Sequence, residues 1–122
     1  MRQDDGGDEA QQRRYLPPAA RGESVFGFAL TEPGGGSNPA DLVTKAVRDG
    51  DTYQLYGQKQ FISNAGAADH LVVFAKTDPA AGARGVSAFV VDATAGGLHV
   101  GAPEKTMGIR SAPAHPVQLD GV

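Results

Sequence analysis

A chain of 122 residues holds one domain and can bury about two-thirds of its unfolded surface, enough for a true core. Its 17 glycines and 8 prolines exceed the usual share yet fall short of a disordered composition, which favours turn-rich β structure. A net charge of −3 without a basic cluster excludes nucleic acid and anionic membrane as partners, and the lack of cysteine excludes disulfides, a thiolate nucleophile and thiolate-ligated zinc.

From Met1 to Ala10 the chain is rich in Asp, Gly and Gln with almost nothing to bury, which predicts a disordered tail. Glu9 to Leu16 is a run of helix formers with Tyr15 and Leu16 as its apolar residues, and Pro17-Pro18 is expected to stop it. A helix that short does not persist alone in water, so it reads as the end of a helix that begins outside this chain. Met1 to Gln12 carries no apolar stretch, and the longest apolar run is Leu71 to Ala75. Neither a signal peptide nor a membrane span is expected, and a cytoplasmic location follows for a prokaryotic source.

From Val25 onward short β runs alternate with turn residues: Val25–Thr31, Leu42–Arg48, Thr52–Gly57, Gln60–Ser63, Leu71–Thr77, Val86–Asp92, Leu98–Gly101 and Val117–Val122. Asp49-Gly50, between the second and third runs, predicts a tight hairpin. Nothing between the runs is long enough for a crossover helix, so the expected class is all-β, a small antiparallel barrel or sandwich with a short N-terminal helical stub. A parallel α/β sheet is excluded, and no internal repeat is present.

The sequence lacks a Gly-x-Ser-x-Gly elbow, a P-loop and a His-Glu-x-x-His pair, and His70, His99 and His115 stand far apart, reading as surface histidines. No metal site and no catalytic group is predicted within the chain. One segment stands out, Phe28-Ala29-Leu30-Thr31-Glu32-Pro33-Gly34-Gly35-Gly36-Ser37-Asn38-Pro39. A strand ending at Thr31 leads into glycines that let backbone N–H groups approach an anion, and Ser37 or Asn38 before Pro39 is a helix N-cap. A phosphate seat and a flexible surface connector both fit this pattern. It is not a dinucleotide fingerprint, since no long helix follows. In Tyr56 to Ala65, Phe61 and Ile62 read on their own as core residues at a strand end, with Ser63-Asn64 starting a turn.

Together these segments resemble the middle domain of the acyl-CoA dehydrogenase family of flavoenzymes. The resemblance rests on Arg14-Tyr15-Leu16-Pro17 with Gly22-Glu23, on Phe28 to Asn38, and on Gly57-Gln58-Lys59 through Phe61-Ile62-Ser63-Asn64-Ala65 with Ala68-Asp69. It continues through Ala88-Phe89-Val90-Val91, Gly97-Leu98 and Glu104-Lys105-Thr106-Met107-Gly108-Ile109-Arg110, in order and spacing from Gln12 to Val122. It implies a β-barrel set between two helical domains, with residues 1–22 as a tail and the end of the N-terminal helical domain and residues 23–122 as the barrel.

The resemblance further implies FAD as cofactor and acyl-CoA as substrate, oxidised at its Cα–Cβ bond, with an electron-transfer acceptor and a homo-oligomer when full length. Phe28, Leu30 and Thr31 would edge the flavin ring, Gly36 and Ser37 would meet the FAD pyrophosphate, and Ser37 would also border the acyl-CoA. Phe61 would pack on the ring, with Ile62 and the Ser63 hydroxyl near its reactive edge. The base that takes the α-proton belongs to the C-terminal helical domain, so this chain alone is not expected to turn over, and Glu32 is expected to order its loop instead. Departures from the family pattern are Asn38 for a common Asp, Ala112 and Ala114 for common Ser and Thr, and Pro116, which enters the last strand without an N–H. An acyl-CoA oxidase-like relative and a non-enzymatic β-barrel binding module are the alternatives.

Overall fold

Alternation decides the sheet. Along His70–Lys76 the side chains of Leu71, Val73 and Ala75 are fully buried while their neighbours are half-buried, the period of a strand with one face on a core. The structure, a computed structural model, describes residues 7–108 and 111–122. The strands are β1 (Phe26–Ala29), β2 (Lys45–Asp49), β3 (Thr52–Ser63), β4 (His70–Lys76), β5 (Val86–Asp92), β6 (Leu98–Val100) and β7 (Ala114–Asp120). They form one seven-stranded sheet in the order β1-β4-β2-β3-β7-β6, with β5 on the other edge of β4. Ile62, Leu55, Leu71, Val73, Val117 and Leu119 fill its inner face.

The fold class matches the reading from sequence, with differences in detail. Most pairings are antiparallel, but β1 runs parallel to β4 from Phe26↔His70 to Ala29↔Val73, and β2 meets β4 in parallel at Lys45↔Lys76. No crossover helix is needed, because the β2–β3 hairpin lies between β1 and β4 and brings the chain back. That hairpin pairs Asp49 with Thr52, so its loop residues are Gly50, at φ 61°, and Asp51, one position later than expected.

The third and fourth expected runs are a single strand, β3. Lys59 pairs with Val117 and Ile62 with His115, so Gln60 and Phe61 together oppose Pro116. Proline on β7 has no N–H to offer there, and its carbonyl turns to the Gly101 N–H at 2.9 Å on the far side. The missing donor therefore falls at a bulge, where the ladder is interrupted anyway, and β7 begins at Ala114 despite it.

The helix α1 (Glu9–Ala20) corrects two expectations. Pro17 and Pro18 lie inside it: they forgo bonds to the Arg13 and Arg14 carbonyls, but their own carbonyls accept the Arg21 and Glu23 N–H groups at 3.1 and 2.9 Å, so the last turn survives. Its start also lies within the chain. Asp8 accepts the Gln11 N–H at 2.8 Å while the Gln11 side chain accepts the Asp8 N–H at 2.9 Å, a capping box that takes Glu9 and Ala10 out of the expected tail. Of that tail, Met1–Gly6 lies outside the described residues, as do Ile109 and Arg110 of the last family motif.

No residue of α1 is buried, and the helix docks through Tyr15, whose ring meets Phe26 edge-on at 6.1 Å and His70 at 5.0 Å. The histidines correct a third expectation. Strand register places His70 opposite Asp92, with Nδ1 2.8 Å from the carboxylate, and His115 is buried with Nδ1 2.9 Å from the Gly101 carbonyl. Only His99 is exposed.

Candidate functional site

The glycine-rich segment is not a loose connector. Glu32-Pro33-Gly34-Gly35 forms a turn closed on both sides, with the Glu32 N–H bonded to the Gly35 carbonyl at 2.9 Å and the Gly35 N–H to the Glu32 carbonyl at 3.0 Å. Gly36 then packs on Thr31: a Cβ there would lie 2.8 Å from the threonine hydroxyl and 3.0 Å from its methyl, so only glycine fits. Ser37 is exposed, and Asn38 caps the short 3₁₀ turn Pro39–Asp41 by accepting the Ala40 N–H at 3.1 Å.

Beneath this turn sits a buried ion pair. The Glu32 carboxylate accepts the Val43 N–H at 2.8 Å, the Thr44 N–H at 3.0 Å and the Lys59 ammonium at 2.9 Å, and the two side chains are 3% and 0% exposed. Burial pushes the Glu32 carboxyl up. The neighbouring Thr44 hydroxyl, the Val43 N–H and Lys59 outweigh that push and hold it below its ordinary value, so it stays charged. Burial also depresses the Lys59 ammonium, against the pull of Glu32. Glu32 orders its loop, as expected, and at 3% exposed with three donors on its carboxylate it is not presented to solvent as a base.

Lys59 also donates to the Leu30 carbonyl at 3.1 Å, and the next residue, Gln60, gives its N–H to the Thr31 carbonyl at 2.8 Å. These two bonds join the end of β1 to the bulge of β3. At the bulge Phe61 takes a left-handed backbone, φ 58°, and leaves its ring 58% exposed. Phe28 is 61% exposed with its ring 4.8 Å from that of Phe74. A cleft of about 410 Å³ opens beside the junction, between Pro33 and Gln60 on one side and His99, Gly101 and Pro116 on the other.

Of the residues singled out in the sequence, Leu30, Thr31, Gly36 and Phe61 thus meet at one junction, with Phe28 and Ser37 adjoining them along the chain. Ser63 is exposed further along β3, opposite Ala114. Ile62 has its side chain 1% exposed in the barrel core, as its apolar character alone implied, because the bulge reverses the facing of the residues after Lys59. Sequence reasoning assigned no role to Lys59. The signal was present, since Leu55, Gly57 and Lys59 share the inward face of β3 and an inward lysine requires a partner.

A family model described as the acyl-CoA dehydrogenase middle domain matches residues 27–122. The chain belongs to that family. It is 48% identical over 95% of its length to the human mitochondrial very long-chain specific acyl-CoA dehydrogenase, of which it covers 19%. It is 42% identical over 95% of its length to a 3-(aryl)acrylate reductase of Clostridium sporogenes, covering 31% of that protein. The crystal structure of an acyl-CoA dehydrogenase from Geobacillus kaustophilus superposes with a TM-score of 0.89 at 38% identity, over 94% of this chain and 31% of that one. The chain therefore spans less than a third of the length of these relatives. Among the described residues no helix is long and apolar enough to cross a membrane.

Proposed function

We propose that this chain is the FAD- and acyl-CoA-facing middle domain of a flavoenzyme that acts on the CH–CH bond of acyl-CoA thioesters. The observation that carries the reading is the junction of the Thr31–Ser37 turn with the Phe61 bulge through Lys59 and Gln60. It sets an exposed aromatic ring beside a glycine that cannot carry a side chain, a place where a flat group with a charged tail can lie. When bound, FAD supplies the acceptor for two electrons and a proton equivalent.

The chain's own residues bind and orient. Phe28, Leu30 and Thr31 edge the ring, Phe61 covers its face, and the Ser63 hydroxyl donates at the ring edge where charge develops. Gly36 and Ser37 receive the pyrophosphate, and Ser37 also borders the acyl-CoA. Ile62 contributes backbone only. The group that removes the α-proton lies outside this chain, since Glu32 is committed to its loop, and α1 belongs to a helical domain that continues before the barrel. An electron-transfer acceptor and a homo-oligomer complete the reading, with the cytoplasm as compartment for a prokaryotic source. The likeness to a reductase favours one variant of it, in which the same site runs toward saturation of a conjugated double bond.

FAD titration tests the proposal in the protein as it occurs, with whatever flanks residues 1–122. FAD is expected to bind, and Ser37→Ala to weaken binding about tenfold, since a hydrogen bond to a charged oxygen contributes about 1.5–3 kcal/mol. A folded protein that takes up no flavin, or a Ser37→Ala variant of unchanged affinity for both FAD and acyl-CoA, removes the phosphate seat and leaves a binding module whose turn is a connector.

A further inference from the structure

Replacing a buried ion pair by apolar residues of like volume is often neutral or stabilising, so the Lys59–Glu32 pair is not what a strand interior needs for its own sake. Its surroundings suggest what it does. Two successive residues of β3 bond two successive carbonyls at the end of β1: the Lys59 ammonium to Leu30 at 3.1 Å and the Gln60 N–H to Thr31 at 2.8 Å. The residue after them, Phe61, is held at φ 58° and is 58% exposed, a strained backbone from which the barrel gains little burial. On the other side Pro116 has no N–H with which the bulge could relax into a regular ladder.

We propose that Lys59 and Glu32 are a positioning pair that locks the Gln60–Phe61 bulge onto the Leu30–Thr31 backbone, so that Phe61 and Thr31 present fixed faces to one flat ligand. This rests on the flavin reading for the identity of that ligand. Neither residue touches the ligand. Glu32 anchors the ammonium and is itself pinned to the Val43 and Thr44 N–H groups, so the carbonyl of Leu30 and the start of the bulge are referred to the segment that leads into β2.

The test is the pair Lys59→Met and Glu32→Gln, singly and together, in the protein as it occurs with its flanking segments. Each single change leaves a buried group unpaired and is expected to lower the melting temperature. The double variant buries no charge and keeps one acceptor oxygen for the Val43 and Thr44 N–H groups, so its melting temperature is expected to recover in part while FAD affinity stays at least tenfold weaker and the visible circular dichroism of the bound flavin changes. A double variant that melts like the parent, binds FAD within twofold and keeps the same flavin dichroism overturns the proposal. Amide exchange of the unaltered protein without added ligand decides the matter should the variants fail to fold. The Gln60 N–H is expected to exchange as slowly as core amides of β4, and exchange at the rate of an open loop overturns the lock. An unaltered protein that binds no FAD refutes the flavin reading and leaves the lock to be judged by exchange alone.

Discussion

Phe61 is where fold and proposed function pull apart. A phenylalanine at φ 58° costs about 1–3 kcal/mol of backbone strain, and a ring left 58% exposed returns little of that in burial. Asparagine tolerates the left-handed region far better. Phe61→Asn is therefore expected to leave the fold as stable as before or to gain up to about 1 kcal/mol, while FAD affinity drops about five- to thirtyfold with the loss of the stacking face. Chemical denaturation and flavin titration of the same preparation check both halves, and a variant that loses stability together with affinity makes Phe61 an ordinary structural residue. Little of this was legible in the residues themselves. Phe61 and Ile62 look alike in the sequence, and only the register against β7 shows that a bulge throws the first outward and the second into the core. Gly36 and Asn38 were legible, because a close backbone approach and an N-cap are local requirements satisfied by neighbouring residues.

At the scale of elements, the sheet and the helix hold to the molecule by different means. Strand β4 is paired on both sides and its inward residues are fully buried, whereas α1 buries nothing and rests on the Tyr15 ring and a loose approach of Arg14 to Asp92 at 3.8 Å. Exposed ion pairs of that kind contribute about 0–1 kcal/mol, so the aromatic contact dominates. Tyr15→Ala is expected to release α1 as a unit, raising amide exchange throughout Glu9–Ala20 while β4 and β5 keep their protection and the sheet melts within a few degrees of the parent. Unchanged exchange in α1 would mean that its capping box and backbone bonds suffice. The strands were legible because period-2 alternation is local, and so were the turn residues between them. The His70–Asp92 pair, the parallel contact of β1 with β4 and the merging of two runs into β3 were not, since each depends on which strands become neighbours. The start of α1 was legible in Asp8-x-x-Gln11, but the glycines around it read as tail.

For the whole molecule, a single curled sheet has two faces, and the core covers one. On the other, Phe28, Val72 and Val90 form one row across β1, β4 and β5, and Phe74 adds a ring 4.8 Å from Phe28. Helix α1 shields only the end of this face, at Phe26 and His70. A sheet face of this composition is normally buried against another layer, and relatives three or more times longer than this chain have the residues to supply one. The 122-residue chain by itself is thus expected to bind a hydrophobic dye strongly and to self-associate as its concentration rises from about 1 μM to 1 mM. Val90 sits at the β5 end of the row and is exposed, so Val90→Lys is expected to lower both dye fluorescence and association while changing unfolding free energy by no more than about 0.5 kcal/mol. Dye titration and sedimentation velocity on the two proteins read this directly. A parent chain that stays monomeric and dark with dye across that range would show that the barrel closes this face on its own.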